Sequence, residues 1–424
     1  MLSTTNLNTS VYSYSSNKPN EDTHIIANVP DLGTVIGVFD GHSGRGGAQH
    51  LADQLEKLAG AAWASDGGKA DTAHDRMSNL FASLDDSLLK RLNELPDEQQ
   101  ENVYTEGACG VISILTPDRL LTGNVGDCKA VLGTFADGEW HSTELTKKHS
   151  ASSGEEILRM HTALNQVNGG IRADNDDEGE LRVQGQLNMT RALGDFHFKT
   201  REYNRMWNEA WGDDTEEHIK LKGNKQNVVK PIIISEPHFS SMDIATVNEA
   251  CQGGNLLELG SKAVDQPLQH KFVILSSDGF NDMIDDGLSV SLVARYLQDK
   301  NNNLADTAEW LTNQALRRAA YQSPEVADLE QLRAMTDPKE CRAVFDDTTV
   351  VVVFLTDELD EFRTNQSTKQ LETQPICQHA EQQQLATTAG KMDHVASGLR
   401  DELAAAHTNT AEAEEKLQAQ IITS

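Results

Sequence analysis

Four acidic positions stand where apolar runs of strand type begin or end. Asp40 follows TVIGVF, Asp127 follows RLLTGNVG, Asp278 follows KFVILSS, and Asp346 with Asp347 immediately precedes TTVVVV. One acid at the end of a strand is ordinary turn chemistry, its carboxylate accepting from nearby backbone N–H groups. Four such acids on strands that could end at one edge of a core suggest convergence. Like charges a few ångström apart repel unless they are protonated, spread apart or neutralised by cations. Divalent ions are the economical answer. Oxygen-only ligation, with no Cys or His cluster at ligand spacing, points to Mg²⁺ or Mn²⁺ rather than Zn²⁺.

The turn Phe39-Asp40-Gly41-His42-Ser43-Gly44 gives that cluster a chemical sense. Asp40 is able to bridge two ions, and Gly41, without a Cβ, lets its own carbonyl oxygen approach a cation. His42 sits beside them. With an ordinary pKa of about 6.5, a histidine next to a held substrate can donate a proton to a leaving oxygen near neutral pH. Taken alone, a histidine in such a turn reads as a solvated side chain.

Positioning these groups requires strands, and the short β-branched runs closed by Asp-Gly or Gly-Asp turns predict antiparallel sheets. Helical spacing of Ala48, Leu51, Leu55 and Leu58, and later of Ala305, Trp310, Leu311 and Leu316, predicts amphipathic helices to cover them. Sheets with one covering layer each give the expected fold class: α+β, a four-layer α/β/β/α sandwich of two antiparallel sheets flanked by helices. The polar, aperiodic stretch Gly212–Gln226 reads as part of a surface insertion near 200–230.

The expected domain is 1–356, followed by an acidic, Gln/Ala-rich tail, 357–424, that is disordered or partly helical. In that tail 11 of 68 residues are Leu, Ile, Val or Phe, too few to offset chain entropy with a core of their own. Val395, Leu399 and Leu403 recur every four residues and would suit a helix docking on a partner; a frayed, solvated helix is the plainer reading. The net charge of −30 over 424 residues excludes a broad attraction to nucleic acid or anionic lipid. No apolar run approaches the roughly 20 residues needed to span a bilayer. Cys109, Cys128, Cys251, Cys341 and Cys377 are odd in number and scattered, the usage of a reducing compartment. Cys109, in an apolar strand, reads as a small core residue. The N-terminus has neither a secretory apolar core nor the arginines of a mitochondrial presequence. The expected compartment is the cytoplasm, with the nucleus or the mitochondrial matrix as alternatives.

In order along the chain, Glu21-Asp22, FDGHSG, EGACGVISIL, GNVGDCKAVL, LTKKHSASSGEEILRM, LNMTRALGDFHFK, SEPHF, ILSSDGFNDMI and FDDTTVVVV resemble the motif series of the metal-dependent protein phosphatase 2C family, the PPM serine/threonine phosphatases. The resemblance covers residues 15 to 355. Within the family, the Ser16–Asp22 start, the Asp-Asp-x-Thr ending and the long insertion after Lys199 look most like the pyruvate dehydrogenase phosphatase branch, although the N-terminus favours a cytosolic relative. The resemblance implies the same α/β/β/α sandwich. By that resemblance Asp40 bridges two Mn²⁺ or Mg²⁺ ions, the Gly41 carbonyl ligates one, and Asp278 and Asp346 ligate the other. Asp127 matches a residue that holds a third ion with the Asp278 equivalent in some members. Glu21 and Asp22 would order water around the ions. Hydroxide generated between two cations about 4 Å apart would attack phosphorus in line, and His42 would protonate the departing seryl or threonyl oxygen.

The chain departs from the family at several positions. An arginine that grips substrate phosphate in the larger family is here Asn17, which brings an amide without charge and leaves neighbouring Lys18 to compensate. Cys128 and Lys129 replace Ser and Arg, and Asp347 replaces Asn. The expected activity is hydrolysis of phosphoserine and phosphothreonine in a phosphoprotein substrate. The alternatives are a catalytically silent binding or scaffold protein of the same fold, with partners docking through the tail, and a metal-dependent hydrolase of small phosphate esters.

Overall fold

A computed structural model describes residues 7–64, 72–136, 138–164, 172–173, 181–183, 187–200, 203, 233–243, 270–299 and 301–355. The segment 212–226 and the tail 357–424, with its Val395, Leu399 and Leu403 pattern, lie outside the described residues.

The chain opens with strands β1 (Asn8–Tyr14), β2 (Thr23–Val29) and β3 (Gly33–His42), followed by helices α1 (Arg45–Ala64) and α2 (Ala73–Asn93). Strands β4 (Gly107–Leu115), β5 (Arg119–Val125), β6 (Lys129–Ala136) and β7 (Glu139–Glu144) come next, then the two-residue strands β8 (Arg172–Ala173), β9 (Leu181–Arg182) and β10 (Leu193–Gly194). Strands β11 (His238–Asp243), β12 (His270–Ser276) and β13 (Thr348–Phe354) complete the set among the described residues. One sheet has the order β1-β13-β12-β6-β7; the other runs β11-β5-β4-β3-β2, with β10 added to β4. All these pairings are antiparallel. Helices α1 and α2 cover one sheet, and the helices Asp286–Gln298 and Thr307–Gln322 cover the other. This is the α/β/β/α sandwich that the alternation of β-branched runs and helical spacing predicts.

Strand periodicity sorts the side chains into three apolar layers, because neighbours along a strand point to opposite faces. On β13, Val350 and Val352 pack with Leu311 and Leu316 under the covering helices, whereas Val351 and Val353 face the other sheet. On β12, Phe272 and Ile274 take the helix side, and Val273 and Leu275 face inward. On β3, Val35 and Phe39 lie beneath α1 with Leu51 and Leu55, while Ile36 and Val38 lie between the sheets. Burying each such side chain contributes about 1.5–3 kcal/mol. A side chain at position 40 has the parity of Ile36 and Val38, so Asp40 points into the space between the sheets where the apolar layer ends. Helix α2 is started by a capping box, with Thr72 Oγ1 accepting from the Asp75 N–H and Asp75 accepting from the Thr72 N–H. No helix among the described residues is long and apolar enough to cross a membrane.

Candidate active site

Asp40, Asp127 and Asp278 each bring a carboxylate oxygen to one point, the three atoms lying within 4.8 Å of one another. Asp40 arrives two residues before the end of β3, Asp127 just beyond β5, and Asp278 at the start of the short helix Asp278–Asn281 that follows β12. Burial, then the charges of Asp278, Asp22 and Asp127, push the Asp40 carboxyl well above the usual carboxylate range. Burial, then Asp127, Asp282 and Asp346, do the same to Asp278. The protein fold therefore holds together groups that repel each other, the situation the sequence suggested from strand ends alone. Asp346 stands at the edge of the cluster, close enough to raise Asp278, and its own carboxyl is raised by burial against the pull of Arg342. Asp282, one helical turn after Asp278, adds its charge to the same group.

Asp22 lies behind the cluster and is buried. Its Oδ2 accepts from the Ser277 hydroxyl at 2.7 Å, and its Oδ1 has no hydrogen-bond partner among the described residues. Burial pushes its pKa up to about 7. Three convergent carboxylates with a fourth carrying an orphaned buried oxygen form a hard, oxygen-rich, electron-rich donor set that fits a divalent cation such as Mg²⁺ or Mn²⁺. Gly41 follows Asp40 at a point of close approach. A Cβ there would stand 2.6 Å from the carbonyl oxygen of Glu21, so only glycine lets the Glu21-Asp22 segment lie against the turn.

That segment is tied down by Asp347. Its Oδ1 accepts from the N–H groups of Ser16 and Asn17 at 2.7 and 2.8 Å, and its Oδ2 accepts from the Glu21 N–H and the Asn17 side-chain amide at 2.8 and 3.1 Å. The second proton of the Asn17 amide goes to Glu21 Oε2 at 3.4 Å. Both amide protons expected to meet phosphate thus serve carboxylates. Lys18 extends to the Thr336 carbonyl, 3.1 Å from its Nζ. For Asn17 the physical reason is the acid at position 347, which accepts from its side-chain amide as well as from the backbone N–H groups of Ser16, Asn17 and Glu21.

His42, the last residue of β3, turns its Nε2 to both oxygens of Asp195 at 3.0 and 2.9 Å. Burial disfavours the imidazolium, but Asp195 outweighs it and raises the His42 pKa. Asp195 itself is held in the charged form, its burial being more than offset by His42. Its backbone is left-handed, with φ 53°, and its N–H donates to the Glu106 carbonyl at 3.0 Å. Pairing of β10 with β4 sets Gly194 opposite Gly107. A Cβ on Gly107 would collide with Asp195 Oδ2 and His42 Nε2, so this glycine leaves room for the pair.

Two cations at the rim are ion-paired with the acids of the site among the described residues. Lys148 Nζ lies 3.8 Å from Asp127 Oδ2. Arg342 reaches Glu21 Oε2 at 3.9 Å and Asp346 Oδ2 at 3.6 Å. Cys109, opposite Asp40 in the β3–β4 register, and Cys128 are buried; burial and the adjacent aspartates push both thiols up, which makes them inert core residues.

The model of the family described as "Protein phosphatase 2C" matches residues 13–250, more than half of the chain. The chain belongs to the protein phosphatase 2C family. It is accordingly a protein serine/threonine phosphatase of the metal-dependent class. Its similarity to "Probable protein phosphatase 2C 61" of Oryza sativa subsp. japonica is 28% identity over 332 residues, 77% of this chain and 76% of the relative. "Probable protein phosphatase 2C 67" of Arabidopsis thaliana is 26% identical over 335 residues, 76% of this chain and 74% of the other. Among solved structures, a sex determining protein of C. elegans has the same fold, with a TM-score of 0.55 at 19% identity over 85% of this chain and 68% of that one. A serine-threonine phosphatase 2C of Toxoplasma gondii aligns with a TM-score of 0.50 at 16% identity, covering 82% of this chain and 95% of that chain.

In this phosphatase 2C chain the site residues that sequence reasoning did not single out are Asp195, Asp282, Gly107 and Arg342. Asp195 and Asp282 lay inside quoted motifs, LNMTRALGDFHFK and ILSSDGFNDMI, as polar residues at an unassigned place. Gly107 lies in the EGACGVISIL motif, where nothing marked what its missing side chain makes room for, and Arg342 stands on a seven-residue helix whose short span has no readable periodicity.

Proposed function

We propose that this protein hydrolyses phosphoserine and phosphothreonine in other proteins at the Asp40-Asp127-Asp278 cluster, with His42 as the general acid and Mn²⁺ or Mg²⁺ as the resident ions. The observation that carries the reading is the convergence of three carboxylates within 4.8 Å beside a histidine held by its own carboxylate. Asp40, Asp278, Asp346 and the Gly41 carbonyl would hold two ions, Asp127 with Asp278 a third, and Glu21 and Asp22 would order the surrounding water. When bound, such ions acidify water and offset the charge of a phosphate.

The protein's own groups do the rest. Asp195 takes the Nε2 proton of His42 as a hydrogen bond, so Nδ1 is the atom left to carry a proton to the departing seryl or threonyl oxygen. The carboxylate favours the charged ring before transfer and keeps the Nε2–H tautomer after it. Asp347 fixes the Ser16–Glu21 turn against the cluster, so that Glu21 and Asp22 stay beside it. The phosphatase domain ends with β13, whose two neighbours, β1 and β12, already pair its edges; truncation after Leu355 is expected to leave turnover intact, and a large loss would move that boundary.

The deciding experiment measures phosphate released from a phosphothreonine peptide by wild type and Asp40→Asn, with Mn²⁺ and then with chelator. Release by wild type with Mn²⁺ alone supports the reading. No release under any condition, with calorimetry finding no divalent-ion binding, would favour a silent binding protein. Faster turnover of nucleotide or sugar phosphates than of the peptide would favour a small-molecule hydrolase.

A further inference from the structure

A phosphate dianion entering this site meets an overwhelmingly acidic chain, with a net charge of −30, so local positive charge has to come from specific groups. The side chains at the Glu21 end are already committed. Both protons of the Asn17 amide serve carboxylates, and Lys18 is bound to the Thr336 carbonyl on the surface. Farther cations are engaged too: Lys129 with Asp286 and Glu144, Lys199 with Asp85, and Arg191 with Glu156.

Arg342 is placed differently. It lies in the last turn of the helix Pro338–Val344, four residues before Asp346, with a side chain 54% exposed. Its guanidinium stands between Glu21 and Asp346, 3.9 and 3.6 Å from their oxygens. Those separations exceed hydrogen-bond length, and ion pairs this exposed hold a long side chain only weakly. Of the two acids that attract it, Asp346 stands at the edge of the carboxylate cluster, close enough to raise Asp278, and Glu21 adjoins buried Asp22. An ion taken up there competes with the guanidinium for the same negative charge and leaves the fork free. A planar fork of donors suits two oxygens of one phosphate, a geometry that an ammonium group does not offer. Lys148 is paired instead with Asp127, 3.8 Å from its Oδ2.

We propose that Arg342 is the side chain that grips the substrate phosphate in this protein, exchanging Glu21 and Asp346 for two phosphate oxygens as the site fills. This rests on the phosphatase reading above and adds to it the residue that binds the anion. The arginine is delivered by the segment that carries Asp346, not by the Ser16–Asp22 turn.

The test uses the full chain, with Arg342→Ala, Arg342→Lys, Lys148→Ala and, as a control on the same helix, the exposed Lys339→Ala. Three quantities are read: KM and kcat on a phosphothreonine peptide with Mn²⁺, inhibition by inorganic phosphate, and Mn²⁺ affinity by calorimetry without phosphate. Loss of a charged bidentate contact should raise KM and weaken phosphate inhibition about tenfold in Arg342→Ala, with kcat within about twofold of wild type. Arg342→Lys should fall between the two, and Lys339→Ala should match wild type. Mn²⁺ affinity in Arg342→Ala should be equal or tighter, because a competing cation has gone. The assignment is overturned if KM is unchanged in Arg342→Ala, if the KM effect appears in Lys148→Ala instead, or if weakened Mn²⁺ binding accounts for the whole change. Wild type that neither hydrolyses the peptide nor binds phosphate overturns the phosphatase reading and this assignment together; an active wild type with an indifferent Arg342→Ala overturns the assignment alone.

Discussion

The Nε2 atom of His42 is chelated by both carboxylate oxygens of Asp195, 153 residues away in the chain, at 3.0 and 2.9 Å. A histidine positioned by a carboxylate through one ring nitrogen can exchange protons only through the other, and its orientation no longer depends on solvent.

Asp195→Asn is expected to separate substrates by leaving group. The amide can still accept one hydrogen bond but no longer favours the imidazolium, so proton donation to a poor leaving group suffers. Turnover of a phosphothreonine peptide should fall about 10- to 100-fold, within the range general-acid catalysis supplies. An aryl phosphate whose phenolate leaves unaided should lose little. The pH profile carries the same information. Burial opposes the charged ring and Asp195 restores it, so removing that carboxylate should move the alkaline limb of kcat to lower pH. Equal losses on both substrates with an unmoved limb would assign Asp195 a purely architectural part.

The acid cluster makes a second prediction, about stability without ions. Asp22, at about 7, and Asp40 and Asp278, both raised well above the usual carboxylate range by burial and mutual repulsion, bind protons more tightly folded than unfolded. Their stabilising contribution is complete below the unfolded carboxylate value of about 3.9 and is lost as pH rises through the folded values. Buried His149 and His197, lowered to about 3 and about 4, act oppositely and cost stability as pH falls below about 6.5. Comparison of wild type with Asp40→Asn removes the histidine contribution. In chelator at pH 8, Asp40→Asn should be the more stable by of order 1–3 kcal/mol, the scale of a relieved buried charge. Mn²⁺ should raise the wild-type melting temperature and leave the variant nearly unmoved. A variant melting below wild type in chelator would show that the carboxylates do not oppose one another.

How far the site was legible follows from the range of each signal. Asp40, Asp127 and Asp278 were readable because each ends an apolar run whose strand character is local, and strands in one sandwich bring such ends together. The layering of Val350 to Val353 was likewise implicit in a continuous β-branched run buried on both faces. Pairing of His42 with Asp195 was not readable, since it depends on a two-residue strand, Leu193–Gly194, docking beside β4. The expectation for Asn17 rested on position alone. It missed that Asp347, visible as a departure, would take one amide proton while Glu21 takes the other. Arg342 was hidden because a surface arginine on a short helix has no pattern to distinguish it from solvated charge.

Asp347 offers a third prediction, one that inverts a conservative exchange. Both of its oxygens accept from two N–H groups. In Asp347→Asn the side chain has one oxygen, and whichever way it is turned its NH₂ faces two donors. Two N–H groups of the Ser16–Glu21 turn lose their acceptor, at a cost of about 1–3 kcal/mol each where buried. The variant should melt several degrees lower and lose activity through displacement of Glu21 and Asp22. Asp347→Asn with an unchanged melting curve would mean that the turn finds other acceptors.

The last prediction concerns Gly107, which takes no part in proton transfer yet controls whether the dyad can form. Its φ is unexceptional, so the requirement for glycine is one of space. A methyl group there would overlap Asp195 Oδ2 and sit 2.5 Å from His42 Nε2, and neither partner can withdraw freely. Asp195 is anchored by the Glu106 carbonyl and the Gly194 pairing, and His42 by its place on β3 opposite Gly107 itself. Gly107→Ala should therefore cost about 1–3 kcal/mol of stability, as overpacking does. It should also reproduce the leaving-group signature of Asp195→Asn, with peptide turnover falling and aryl phosphate turnover retained. Gly47→Ala, where the nearest atom would be 3.6 Å away, is the matched control and should gain up to about 1 kcal/mol through a less flexible unfolded chain. If Gly107→Ala lost both substrates equally while Mn²⁺ binding survived, the strand contact would matter for the fold and the dyad would need another explanation.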